Sequence, residues 1–152
     1  MKVYLDACCL CRPFDDQKVQ RIHLESEAIK EILVRCTRDW TLVVSDAVSF
    51  EISRIPDKTR MKKALNLVDV ASEYVAITNT IARRYHEIVE FGIDPADALH
   101  LACAESAGAA LLTTDDAIIR IIKRHAHQIT IEARNPVEWL MEVNAYGGKD
   151  AE

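Results

Sequence analysis

Four acidic residues stand where their types and spacing allow hydrolytic chemistry: Asp6, Glu51, Asp97 and Asp115. Carboxylates that converge repel, and each raises the proton affinity of its neighbours unless a cation offsets the charge. Oxygen ligands without His or Cys partners suit a hard ion, Mg2+ or Mn2+. One or two such ions polarise a phosphoryl oxygen and turn a bound water into a nucleophile. The chemistry implied is metal-assisted hydrolysis of a phosphodiester.

Each acid also has a structural explanation. Taken alone, Asp115 reads as a helix cap and Glu51 as a solvated helix residue. Asp6 resists that explanation, because an acid closing a buried strand finds few partners there. Asp46, Asp94 and Asp116 are expected as caps or first-turn acids, and Asp15 and Asp16 as loop residues. His100 shares a helix face with Asp97, and a half-buried ring bonded to a backbone group or carboxylate is favoured over a proton shuttle. The five cysteines lack the paired spacing of a zinc site and read as small buried thiols, with Cys11 the one expected to be exposed. Between Arg54 and Lys63 lie five bases and one acid, usually the mark of a solvated face. The run begins one turn beyond Glu51, so Arg54 and Lys58, together with Arg12, are candidate contacts to the phosphates of such a phosphodiester substrate.

The elements that must position these groups alternate. Lys2 to Leu5 and Thr41 to Val44 are short runs rich in strand formers, and Ala109 to Thr113 is a third. Tyr74–Ile77 and Gln128–Ile131 are further candidate strands. Apolar residues recur at three- and four-residue steps from Val19 to Cys36, the pattern of an amphipathic helix. Further helices are predicted around Phe50-Glu51-Ile52, from Asp57 to about Val70, from Thr78 or Asn79 to Phe91, and after Asp94-Pro95 as far as Gly108. Two more contain Ile118, Ile121 and Ile122, and Pro136 to Val143. Gly92 and Gly108 are helix terminators, and Asp94-Pro95 is a restart signal. Strands alternating with helices imply α/β: a three-layer parallel sheet of about four to five strands with helices on both faces. In such a sheet, functional groups gather beyond the carboxyl ends of the strands, which is where the four acids fall.

The chain of 152 residues is 49% hydrophobic, with eight Gly and Pro together. That is one domain's worth of chain, expected over residues 1–145, with a flexible tail over 146–152. No apolar run approaches the roughly 18 residues of a membrane span. The first residues lack a secretory signal, and an odd number of cysteines suits a reducing compartment, so a cytoplasmic location is expected. Twenty-four acids against 19 bases give a charge of −5, which at face value argues against a nucleic-acid partner. Setting the four candidate site acids aside leaves 20 acids against 19 bases. Most of the acidic surplus is then the candidate metal site itself.

Four stretches, in order, carry a resemblance: Val3-Tyr4-Leu5-Asp6, Ser45 through Phe50-Glu51-Ile52, Asp97-Ala98-Leu99-His100-Leu101-Ala102, and Leu112-Thr113-Thr114-Asp115. The chain resembles the PIN-domain ribonucleases, the family that includes VapC-type toxins of toxin–antitoxin pairs. Asn135-Pro136-Val137-Glu138-Trp139-Leu140 is similar to the family's last helix. The resemblance implies an acidic pocket that binds Mg2+ or Mn2+ and cleaves RNA, with Asp6, Glu51, Asp97 and Asp115 in the acidic roles and Thr113 as a supporting hydroxyl. It also implies a homodimer and a cognate antitoxin as partners. The commonest members carry Ser, Thr or Asn after the first acid, where Ala7, Cys8 and Cys9 stand here. Two other functions remain to be weighed. One is a catalytically inactive PIN-like module that binds RNA or protein. The other is a phosphoryl-transfer domain, whose Asp-x-Asp or receiver pattern the residues Asp6-Ala7-Cys8 do not satisfy.

Overall fold

The computed structural model describes residues 1–150. Five strands form one parallel sheet in the order β3-β2-β1-β4-β5. They are β1 (Lys2–Leu5), β2 (Thr41–Ser45), β3 (Glu73–Val75), β4 (Ala110–Leu112) and β5 (Ala133–Arg134). The helices are α1 (Ala7–Cys11), α2 (Gln20–Cys36), α3 (Asp46–Ser53), α4 (Lys58–Val68), α5 (Asn79–Glu90), α6 (Pro95–Ala107), α7 (Asp116–Arg124) and α8 (Pro136–Asp150).

β1 takes the centre because Val3, Tyr4 and Leu5 form an uninterrupted apolar run, which suits burial on both faces of a sheet. All three are fully buried. Val3 pairs in register with Leu42 of β2 on one side and Ala110 of β4 on the other. The chain steps outward from β1 to β2 to β3, then returns across the sheet to β4 and β5. Right-handed crossovers place the helices of these two excursions on opposite faces, which makes the three layers. α2 packs against α8, and α5 against α6. Ile29 and Ile32 of α2, Leu42 of β2, Leu101 of α6 and Leu111 of β4 are at or near complete burial, and each such side chain contributes about 1.5–3 kcal/mol.

The predicted boundary signals act as expected. Asp57 caps α4 through the Thr59 N–H at 2.9 Å, and Thr78 caps α5 through that of Ile81 at 3.2 Å. Asp94 caps α6 through the Ala96 N–H at 3.0 Å, with Pro95 at the first helical position. Gly108 ends α6 in the left-handed region at φ 66°, a conformation that a side chain would disfavour.

Three local features differ from the sequence reading. The segment after Asp6, where no helix was expected, forms α1 followed by a 3-10 turn over Arg12–Phe14. The last strand lies at Ala133–Arg134 and not at Gln128–Ile131. Ile129 is buried, but the bonds to β4 come from further on, with Leu111 N–H donating to Glu132 O at 2.9 Å and Thr113 N–H to Arg134 O at 3.0 Å. α8 continues to Asp150, taking in part of the segment expected as a tail, and residues 151–152 of that segment lie outside the described residues. Among the described residues, no helix is long and apolar enough to cross a membrane.

Candidate active site

The sheet order reverses between β1 and β4, the strands that leave in opposite directions, and the crevice beyond their carboxyl ends is where open α/β sheets place ligands. Asp6 follows β1 directly and caps α1, accepting the Cys9 backbone N–H at 2.9 Å. It is 7% exposed. Burial raises its carboxyl above the ordinary aspartate range, against the pull of hydrogen bonds from Cys9 and the Thr113 hydroxyl and of the nearby His100 charge. Thr113 follows β4, is fully buried and accepts the Asp115 N–H at 3.1 Å. Asp115 caps α7 through the Ala117 N–H at 2.9 Å. One hydroxyl thus links the first and last acids.

Asp97 sits in the first turn of α6. Its carboxyl is pushed up to about 6 by burial first, then by the negative charges of Asp94 and Asp115, with His100 opposing and Asp6 adding to the rise. Three acids therefore share one electrostatic environment. Among the described residues, no cationic side chain pairs with Asp6, Asp97 or Asp115. Nor, among those residues, do any three His, Cys, Asp or Glu side chains already converge closely enough to hold one ion. The donor set nevertheless fits a hard divalent cation in its chemistry, being all oxygen, with Asp6, Asp97 and Asp115 outside any salt bridge among the described residues.

Glu51, on α3, is held differently. Its Oε1 lies 2.9 Å from His100 Nε2. His100 Nδ1 is 2.7 Å from the Tyr4 hydroxyl, which is 2.6 Å from Ser45 Oγ. Burial lowers the proton affinity of His100, but the Glu51 bond and the charges of Glu51, Asp6 and Asp97 more than offset this, leaving it above the ordinary histidine value. A ring protonated at Nε2 donates to Glu51, and Nδ1 meets the Tyr4 hydroxyl either as acceptor when the ring is neutral or as donor when it is charged. This is the carboxylate-bonded histidine favoured from sequence. The expected outcome of Tyr4→Phe follows, because Ser45 and His100 each lose a buried partner. Stability should fall by about 1–3 kcal/mol, read as a lower urea midpoint with an unchanged slope.

A solvent-accessible cleft of about 320 Å³ adjoins the acids, lined among others by Cys8, Arg12, Asp15, Glu51, Arg60 and Thr114. A larger hollow of about 820 Å³, around Met1, Lys2, Trp40, Gly108 and Trp139, lies at the amino ends of the strands, away from the acids. Of the candidate RNA contacts, Arg12 lines the cleft. Arg54 and Lys58 are exposed and do not line it, and Arg54 packs over the Phe50 ring at 5.3 Å. All five thiols are free, and Cys8 is the exposed one; Cys11, expected to be exposed, is 8% exposed because α1 turns it inward.

Sequence reasoning missed two groups beside the site. Arg60 was one base in a run of five, with nothing to distinguish it. Glu25, buried at 1% exposure, accepts hydrogen bonds from Arg12 Nε at 3.1 Å, Arg21 Nε at 3.3 Å and Asn135 Nδ2 at 2.7 Å. The helical spacing of α2 puts Glu25 on the same inward face as Ile29 and Ile32, and that lapse in the apolar pattern was the available signal.

The fold is that of a parallel α/β domain with acidic side chains beyond the carboxyl ends of its strands, near the sheet's switch point. The PIN domain family model matches residues 3–124, and the chain belongs to the PIN-domain family. No curated protein matches the chain significantly. Among solved structures it is similar to VapBC-1 from nontypeable Haemophilus influenzae, at 14% identity and a TM-score of 0.63, covering 90% of this chain and 98% of that one. FitAcB from Neisseria gonorrhoeae is similar at 14% identity and TM-score 0.60, with the same coverage. A toxin-antitoxin complex from Klebsiella pneumoniae aligns at 16% identity and TM-score 0.54, covering 74% of this chain and 86% of that one.

Proposed function

We propose that the protein is a metal-dependent endoribonuclease that hydrolyses RNA phosphodiester bonds, and that it is the toxin component of a toxin–antitoxin pair. The observation that carries this reading is the trio Asp6, Asp97 and Asp115 beyond the carboxyl ends of the strands, where Asp97 feels the charges of the other two and none of the three forms a salt bridge among the described residues. Mg2+ or Mn2+, held by these acids and Glu51 directly or through water, would supply charge neutralisation and an activated water. Asp6, fixed by its cap bond to Cys9, offers an oxygen at the end of β1. Thr113 orients Asp115 through the Asp115 N–H and adds a hydroxyl beside Asp6. His100 holds Glu51 at the rim, anchored by Tyr4. The solved toxin-antitoxin complex of similar fold supports an antitoxin as partner, with a homodimer and a cytoplasmic location as parts of the same reading.

The test is cleavage of single-stranded RNA with MnCl2 by the parent and by Asp6→Asn. Equal cleavage by the two would remove Asp6 from the site. A second reading, an inactive PIN-like module that binds RNA or protein, is favoured by the lack of three preassembled ligands among the described residues. Titration calorimetry with Mn2+ separates the two. Heat that disappears in Asp115→Asn supports the nuclease, and no metal uptake by the parent supports the module.

A further inference from the structure

We propose that Arg12 and Arg60 form a binding site for a backbone phosphate of RNA, and that the Asp15 carboxylate occupies this site until the phosphate displaces it. The substrate class rests on the nuclease reading above; the site itself rests on geometry. Arg12 begins the 3-10 turn after α1, and Arg60 lies in the first turn of α4. They approach Asp15 from two elements. Arg12 Nη1 donates to Asp15 Oδ2 at 3.2 Å, and Arg60 Nη2 donates to Asp15 Oδ1. Each carboxylate oxygen therefore meets one guanidinium, the arrangement that two non-bridging oxygens of a phosphate would take. Arg12, Arg60, Asp15 and Glu51 all line the 320 Å³ cleft, so a phosphate held there brings the strand to the edge of the acid cluster.

The site is built to survive the exchange. Arg12 is braced by Glu25, at 3.0 Å from Nη2 and 3.1 Å from Nε, and keeps its place when Asp15 leaves. The loop backbone is tied down separately, with Gln17 Nε2 donating to the carbonyls of Arg12 at 3.1 Å and Asp15 at 2.9 Å. The Asp15 side chain can swing out without unfolding its loop. Arg60 has no other acidic partner among the described residues, so displacing Asp15 frees its full charge for the incoming phosphate. The pair also places two positive charges in the cleft beside Glu51, where they oppose repulsion between the acids and an RNA backbone. An internal carboxylate in the site acts as a competitor, lowering apparent affinity by the fraction of time the site is filled.

The experiment measures binding of a fluorescein-labelled single-stranded RNA oligonucleotide by anisotropy, in EDTA to prevent turnover, across a series of NaCl concentrations. Arg60→Gln should weaken binding roughly tenfold, the loss of one charge-assisted contact. It should also flatten the plot of log affinity against log salt by about 0.7, the increment for one phosphate on a single strand. Arg60→Lys should keep the salt slope while losing part of the affinity, because it lacks the planar fork. Asp15→Asn should tighten binding several-fold, and that gain should shrink in the Asp15→Asn/Arg60→Gln double variant, where Arg12 alone is freed. Thermal melts matching the parent show that the variants are folded. Unchanged affinity and slope in Arg60→Gln overturn the proposal, as does Asp15→Asn that fails to tighten or that tightens equally without Arg60. Cleavage by the parent with Mn2+ is scored separately. If the parent cleaves RNA and Arg60→Gln binds it normally, the phosphate site falls alone; if the parent neither binds nor cleaves RNA, the nuclease reading falls with it.

Discussion

Replacing Asp97 by Asn is expected to abolish metal-dependent RNA cleavage and, with metal absent, to make the protein more stable. Both effects come from one carboxylate. Asp97 is half-buried, and its carboxyl is held at about 6 against an ordinary 3.8 by burial and by the charges of Asp94 and Asp115. A pKa raised by folding means that the native state binds the proton more tightly than the unfolded chain. Stability from this group is therefore full below pH 3.8, declines as pH rises through about 6, and stays lost above it. A two-unit shift corresponds to at most about 3 kcal/mol, and solvent access to the half-exposed group reduces this to about 1–2 kcal/mol. Asn has no charge to lose. In EDTA at pH 7.5, Asp97→Asn should melt roughly 2–6 °C above the parent, and the advantage should disappear at pH 4. Cleavage should drop by about 10²- to 10³-fold or more, the scale of losing one charge-stabilising group. Calorimetric melts at the two pH values and a cleavage gel check it. An equal gain at both pH values would mean that ionisation of Asp97 is not what destabilises the parent.

Glu25→Ala is expected to move stability in the opposite direction. Glu25 is nearly sealed from solvent and binds Arg12, Arg21 and Asn135. Arg21 in turn donates to Thr114 O at 3.0 Å and to both Asp116 oxygens at 2.9 and 3.0 Å. One carboxylate thus ties together the segments that follow β1, β4 and β5. Truncating it leaves two guanidinium groups and an amide facing a void. Removing one partner of a buried charge cluster costs about 3–5 kcal/mol. Arg12 and Arg21 retain Asp15 and Asp116, so about 3 kcal/mol is expected, a melting temperature lower by roughly 6–12 °C. Glu25→Gln keeps the shape and one acceptor and should lose about half as much. A melt of Glu25→Ala within 2 °C of the parent (about 1 kcal/mol or less) would show that Arg12 and Arg21 are satisfied without it.

Much of the frame was legible because its signals are local. Uninterrupted apolar runs marked β1, β2 and β4, the spacing from Val19 to Cys36 marked α2, and Asp94-Pro95 and Gly108 bounded α6. Helix α1 was not legible, since five residues are too few to show a period, and only the cap bond from Asp6 to Cys9 reveals why it starts there. β5 was misplaced because an edge strand of two residues, one of them Arg134, carries no apolar alternation. The neighbouring Ile129 is buried by side-chain packing without joining the ladder. At the site, acids that end strands could be read from position, as could the partner type of His100. The partners of Arg12, Arg60 and Glu25 could not. The contacts Arg12–Glu25, Arg60–Asp15 and Glu25–Asn135 join residues 13, 45 and 110 positions apart, and long-range polar pairing leaves no periodic trace.

The bond between Glu25 and Asn135 has a consequence for the order in which activity can appear during synthesis. All four acids have been made once residue 115 is in the chain, yet Asn135 and β5 come 18 or more residues later. A nascent or truncated chain ending before β5 carries every acidic group but leaves β4 as an unpaired edge and Glu25 short of its third partner. Completion of the cluster's surroundings is thereby tied to near-completion of the polypeptide. In the proposed ribonuclease, that delay would separate synthesis of the acids from completion of the structure around them.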